Sequence, residues 1–427
     1  MQSTCPGRPS PLFGSGTATV MSPASALSKF LRSAYERLSD AARATARNFP
    51  AWSRSRCANC PELRMPNLSR LLFAAGFLVV AQYAIAGAAH EGFVPAEAGL
   101  PRLLRDTGLY EAGPALRVRE GIASYSPQYP LWSDGAGKRR WLYLPPGTSI
   151  DASRPDAWQF PRGTRLWKEF AHEGRPVETR YIERGKDGEW RFAAYVWNEE
   201  GTEAVLAPAR GIAALPVAAA PEGRYAIPSR TDCLACHGST TVPVLGATAL
   251  QLSPDRDPLA PGGHALRPGE SDLRALVARG WVRGLPRALI ENPPRIPVAD
   301  PVARAALGYL HGNCAHCHNT TASRVPLQLT LAQRGRDSAL ALAQVLRSTI
   351  SAPSRYRLAG SDGDALVVTP GQPAHSVLAT RMQSRNPQVR MPPLGTRIPD
   401  TDGLALIERW IAGSGSSLPL KPKETTP

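Results

Sequence analysis

Between residues 138 and 197, hydrophobic and polar positions alternate in four runs separated by turn-forming residues. Residues 138–144 (KRRWLYL) stop at Pro145-Pro146-Gly147, and 165–171, 177–184 and 189–197 repeat the habit. A period of two bounded by Gly and Pro predicts strands. His172-Glu173-Gly174-Arg175 and Gly185-Lys186-Asp187-Gly188 suit hairpin loops. Alternation is only partial in Val177-Glu178-Thr179-Arg180-Tyr181-Ile182, so one sheet face is expected to be wet. Six of the nine Trp lie between Trp132 and Trp197. They suit an aromatic sheet core, or else a face that docks a partner or a glycan. Residues 90–228 therefore read as a β-rich domain, an antiparallel sheet or sandwich.

The period changes further along. Residues 229–296 form a short, Pro- and Gly-rich segment whose clearest helix is 271–279, with Ser271 as N-cap and Gly280 at its end. Residues 298–414 read as mostly α-helical. Helices are expected at 301–311 behind Asp300, at 338–348, at 376–382, and at 403–412 behind Thr401 or Asp402. In the last of these, Leu404, Leu406, Ile407, Trp410 and Ile411 make one apolar stripe. Residues 415–427 are expected to be a disordered tail. The fold class is α+β, sheet first and helices after.

Residues 71–81 (LLFAAGFLVVA) are uncharged and apolar, follow Arg70, and lead to Ala84-Ile85-Ala86, a small-x-small pattern. Read from Met65, residues 65–86 have the three regions of a secretory signal peptide. Residues 1–64 then read as a non-native or disordered extension. Retention of 71–89 as a membrane anchor is the alternative, and export follows either way. The net charge of +15 first suggests nucleic acid, but residues 1–86 carry ten Lys/Arg against three Asp/Glu, and without them +8 remains. Nucleic-acid binding is set aside. Membrane contact is expected only if the apolar segment stays.

The cysteines carry the chemistry. Cys5, Cys57 and Cys60 lie in the segment expected to be lost. The other four form Cys233-Leu234-Ala235-Cys236-His237 and Cys314-Ala315-His316-Cys317-His318. Two thiols at this spacing reach both vinyl groups of one porphyrin, and the next residue sets its imidazole under the iron. C-x-x-C-H therefore predicts covalent haem c. Two haems c are expected, with Cys233, Cys236, Cys314 and Cys317 as tethers and His237 and His318 as proximal ligands. A thioredoxin-like pair is disfavoured because neither motif is expected to open a helix after a buried strand. A zinc site from two CxxC pairs is the other competitor. For the sixth ligand, Met391 in Arg390-Met391-Pro392-Pro393 is expected at the second haem. Met382 and His264 are weaker candidates for the first, and His90, His172, His311 and His375 weaker again. The first iron otherwise keeps an open position.

The stretch from the 301 helix through CAHCHN, PGQPAHSVLATRM, RMPPLGT and LALIERWI resembles a class I cytochrome c domain. That resemblance implies that Met391 caps the iron and that Gly308 or Tyr309 meets Trp410 where two helices cross. More widely, PLWSDGAGKRRWLYLPPGT, FPRGTRLWKEF, YVWNEEGT, IPSRTDCLACHG and ALQLSPDRDP resemble a bacterial family of diheme c-type cytochromes. The likeness spans residues 95–414 and implies periplasmic electron transfer to a redox partner protein. A diheme enzyme of peroxidase type, with a weakly ligated first haem, is the alternative. A haem-bearing subunit that docks a larger oxidoreductase is a third reading.

Overall fold

The computed structural model describes residues 99–320, 328–357 and 365–417. The expected signal peptide, the 1–64 extension, His90 and most of the expected tail lie outside them. Strands follow in the order β1 (Ala123–Tyr125), β2 (Gly137–Tyr143), β3 (Ile150–Asp151), β4 (Arg165–His172), β5 (Arg175–Arg184), β6 (Trp190–Trp197) and β7 (Ala204–Leu206). Next come β8 (Ile212–Pro216), β9 (Arg224–Ile227), β10 (Glu270–Ser271) and β11 (Val282–Arg283). The seven-stranded main sheet has the order β10-β1-β2-β4-β5-β6-β7. Glu173 and Gly174 turn β4 into β5 with φ of 50° and 79°, the left-handed pair that a two-residue hairpin needs.

The sheet corrects two expectations. It is mixed rather than purely antiparallel, because β10 pairs parallel with β1. It is one main sheet with two two-stranded ribbons, β3–β11 and β8–β9, and not a sandwich. Its faces are also drier than the partial alternation suggests. On one face Trp141, Trp167, Tyr181 and Tyr195 pack with Leu104 and Leu109. On the other, Leu142, Leu166 and Ile182 pack with Val244, Leu252, Leu273 and Leu276. Glu178 and Thr179, in the run expected to have a wet face, are both 0% exposed. Their polar atoms are met internally: Trp197 Nε1 donates to Thr179 Oγ1 (3.0 Å) and Tyr225 Oη to a Glu178 carboxylate oxygen (2.7 Å).

The helices are α1 (Arg230–His237), α2 (Leu273–Ala278), α3 (Arg287–Glu291), α4 (Pro301–Asn313), α5 (Ser338–Thr349), α6 (Val377–Gln383) and α7 (Thr401–Ser417). The α2 cap is Asp272, which accepts from Ala275 N, because Ser271 is spent in β10. Asp300 caps α4 as expected, accepting from Ala303 N at 2.6 Å. At α7 the cap is Asp400, one residue ahead of the expected pair, accepting from Gly403 N at 3.0 Å. This helix runs to Ser417, into the stretch expected to be disordered; residues 418–427 lie outside the description.

A second core joins α4 and α7, burying Leu307, Leu310, Leu406, Ile407 and Trp410. Tyr309 and Trp410, expected where the two helices cross, share this core. A Cβ on Gly403 would overlap the Tyr309 ring, and one on Gly308 would overlap the ring of Tyr129, which arrives from the segment between β1 and β2. All described residues belong to one unit, Ala89–Pro427. Among them, no helix is long and apolar enough to cross a membrane.

Candidate functional site

Helix α1 is short and firmly started. Ser229 and Asp232 form a reciprocal capping box: the Ser229 side chain accepts from Asp232 N, and Asp232 accepts from Ser229 N at 2.9 Å. The first CxxCH occupies the second half of this helix, and β9 ends only three residues before it. The helix follows a half-buried strand, but the motif does not open it. Its cysteines stand at the fourth and seventh helical positions, away from the helix N-terminus that activates a thioredoxin-like thiol.

His237 ends α1. Its Nδ1 lies 2.5 Å from the Pro243 carbonyl oxygen. A carbonyl only accepts, so Nδ1 carries the proton and Nε2 keeps a free lone pair. That is the tautomer of a metal-binding imidazole steadied by a backbone carbonyl. The ring also leans on Phe192, 5.1 Å between centroids. Burial holds its pKa down to about 4, so the imidazole is neutral at ordinary pH.

The second motif follows α4. His318 is 9% exposed, and its Nδ1 is buried with no hydrogen-bond partner. Burial, with His316 and Arg381 nearby, holds this imidazole at about 4 as well. A neutral imidazole keeps one ring lone pair that a metal can take. Burial pushes the Cys233 thiol up to about 11 and that of Cys314 to about 12.

The two motifs meet. Ligand atoms of Cys236, His316 and Cys317 all lie within 4.8 Å of one another. Cys236 hydrogen-bonds Cys317, which raises the Cys236 thiol to about 12 and lowers that of Cys317. Asn319 Nδ2 also donates to Ser239 O at 3.0 Å, tying the ends of the motifs together. Among the described residues the cluster includes neither Cys233 nor Cys314, so the four-cysteine zinc site is not assembled.

A cavity of about 750 Å³ opens beside the first motif, within the range of ligand sites. Cys233, Cys236 and His237 line it, and so do His311, His316 and Asn319 from the second motif and the turns beside it. Free imidazole and thiol groups, a neutral histidine aimed by a carbonyl, and this volume fit a haem tethered at Cys233 and Cys236.

The sixth-ligand candidates fall elsewhere. His264 Nε2 meets a Glu270 carboxylate oxygen at 3.3 Å, and Met382 is buried in the α4–α7 core; neither lines the cavity. Met391 does not line it either; its N–H donates to Arg381 O at 2.8 Å, and Arg381 is a neighbour that acts on His318. The cavity does hold two histidines that sequence reasoning ranked low or passed over. His311 Nδ1 accepts from Gln333 N (3.2 Å), so its Nε2 carries hydrogen and is a donor. His316, between the second pair of cysteines, is the other. Nothing in the sequence marks it beyond its place inside the motif.

No family model matches the chain, and comparison with curated proteins and with solved structures finds no match.

Proposed function

We propose that the chain is an exported diheme c-type cytochrome that transfers electrons to a partner protein. The observation that carries this reading is the pair of CxxCH motifs, each ending in a neutral histidine and meeting at Cys236, His316 and Cys317. Cys233 and Cys236 would hold one porphyrin with His237 Nε2 toward its iron. Cys314, Cys317 and His318 would hold the other within a class I-like helical region that includes Met391. When bound, haem supplies a one-electron Fe(III)/Fe(II) couple. The chain's part is to hold the two groups side by side, keep both imidazoles unprotonated, and exclude water with the sheet and α4. Periplasmic maturation, with membrane contact only through a retained apolar segment, belongs to the same reading.

A second reading, the diheme enzyme, is favoured by one observation. Among the described residues no methionine lines the cavity, and His311 there has a donor nitrogen rather than a lone pair to offer. A first iron left five-coordinate beside that donor would suit small-molecule chemistry.

The test is haem content and spin state of the chain matured in an exporting host, beside Cys233→Ser and Cys314→Ser. Each substitution is expected to weaken attachment at one haem only. Two low-spin haems support transfer, and a high-spin first haem that reacts with peroxide supports the enzyme. A colourless protein, or one with zinc on its thiols, sinks both.

A further inference from the structure

The cavity face of the sheet bears an arrangement that the haem motifs do not explain. Arg140 in β2 stands opposite Lys168 in β4, and Lys168 stands opposite Arg180 in β5. Three cations thus form a row straight across three adjacent strands, and all three line the cavity. Like charges directly opposite one another destabilise a sheet. The charged heads of Lys168 and Arg180 lie over the same Phe170 ring, 4.8 and 4.3 Å from its centroid. That shared platform holds the two heads together rather than letting them part.

Counter-charge is scarce. Arg180 pairs with Glu178 at 2.8 Å. Among the described residues, the Arg140 and Lys168 side chains make no hydrogen bond or ion pair, although Arg140 is only 6% exposed; Glu270 acts on Arg140 and Glu178 on Lys168 only from further off. Burial, with Arg140 and Arg180 beside it, drives the Lys168 pKa well below its ordinary value. Eight Lys/Arg line the cavity against three Asp. Those three are occupied: Asp134 accepts from Arg397 N and Ile398 N, Asp156 from Gly335 N, and Asp232 caps α1. The row next to the cations is apolar, with Leu142, Leu166, Ile182 and Phe192 opposite one another across four strands.

We infer that Arg140, Lys168 and Arg180 form an anion-binding row for a carboxylate or small oxoanion whose apolar body lies against Leu166 and Ile182. Two sources share this chemistry. One is the propionates of a haem tethered at Cys233 and Cys236, which rests on the proposed function. The other is a free oxoanion entering the cavity, which does not.

Sulfate is the probe, titrated calorimetrically into the full chain in haem-free and haem-loaded forms. Haem-free wild type is expected to bind it. Lys168→Met and Arg140→Gln are each expected to weaken binding about tenfold or more, the worth of one charge-assisted hydrogen bond. Lys168→Arg keeps the charge and should stay within about threefold. Lys168→Met relieves repulsion within the sheet, so its melting temperature should not fall below that of wild type. If the propionates are the occupant, haem loading abolishes sulfate binding. Lys168→Met then lowers the midpoint potential of the haem that Cys233→Ser removes, since a lost cation favours ferric iron. If loaded protein binds sulfate as well as haem-free protein, the occupant is a free oxoanion. Sulfate binding that ignores all three substitutions, or no binding by haem-free wild type, overturns the row as an anion site. Should the haem-free chain not fold, an unshifted potential in loaded Lys168→Met together with no sulfate binding does the same. A chain that never takes up haem defeats the proposed function but leaves the haem-free titration as a full test of the row.

Discussion

His237 and His318 close motifs of the same five-residue form, yet the chain treats them differently. His237 has its Nδ1 proton spoken for by Pro243 and its ring against Phe192, beside an open cavity. His318 is enclosed, and its Nδ1 has no partner at all. The first site is therefore aimed before anything binds. The second keeps an unmet ring nitrogen in its interior. A sheet supplies fixed neighbours for the first, whereas the second sits in a turn after α4 whose surroundings are mainly helical.

Acid should act first on what the two sites share. Burial lowers His237, His311 and His318 to about 4 in the folded chain, against an ordinary value near 6.5. Below pH ~6.5 the unfolded chain binds protons that the fold refuses. Stability is lost as pH falls from ~6.5 toward ~4 and levels off below that. Each histidine costs about 2 to 3 kcal/mol across this window. In haem-loaded protein a tethered haem would keep His237 and His318 ligated in the unfolded chain as well as the folded one, so both leave the titration and roughly a third of the loss should remain. Urea midpoints at neutral and acid pH for the two forms measure this; equal losses in both would mean the imidazoles are not ligands.

The join between the regions can be broken directly. A Cβ on Gly312 would collide with the Tyr129 backbone carbonyl, which cannot swing aside like a flexible side chain. Gly312→Val is expected to cost about 3 kcal/mol or more in thermal or urea unfolding. A melt indistinguishable from wild type would mean that the two regions are not locked there.

The contrast itself is sharpened by stripping one motif at a time. Cys314→Ser/Cys317→Ser should destabilise matured protein more than Cys233→Ser/Cys236→Ser does. The margin is about 1 to 3 kcal/mol, the cost of taking the metal from an imidazole that is otherwise enclosed and without a partner. Differential scanning calorimetry decides it, and an equal or reversed order removes the distinction. The smallest effect is at the ring beneath His237. Phe192→Leu should cost about 1 kcal/mol and broaden the Soret band of the first haem without loss of haem; an unchanged spectrum would assign orientation to Pro243 alone.

Long strands and helices were legible because local pattern and tertiary burial agree in them. The runs at 138–144, 165–171, 177–184 and 189–197 became β2, β4, β5 and β6 within about two residues, and Asp300 capped α4 as read. The two-residue strands β3, β10 and β11 were not legible, since each exists only through a distant partner. The pull of β10 on Ser271 is also what moved the α2 cap to Asp272. Of the site, the motif residues were plain from spacing. His316 and His311 were not, because their value comes from facing a cavity. The cation row was half visible: Arg140, Lys168 and Arg180 occupy matching alternate positions in three strands, but polar residues at such positions ordinarily face water. Only strand register and the cavity show that these do not.

Tyr129 lies on a helical surface bared by Gly308 and Gly312, and the neighbouring Trp132 N–H donates to Asn313 Oδ1 at 2.7 Å, one residue before the second motif. Residues flanking one motif are thus bolted to the scaffold of the other. For a diheme carrier, such stiffness makes the gap an electron must jump a constant of the architecture, so internal exchange should be indifferent to solvent viscosity while exchange with an outside protein slows as the medium thickens.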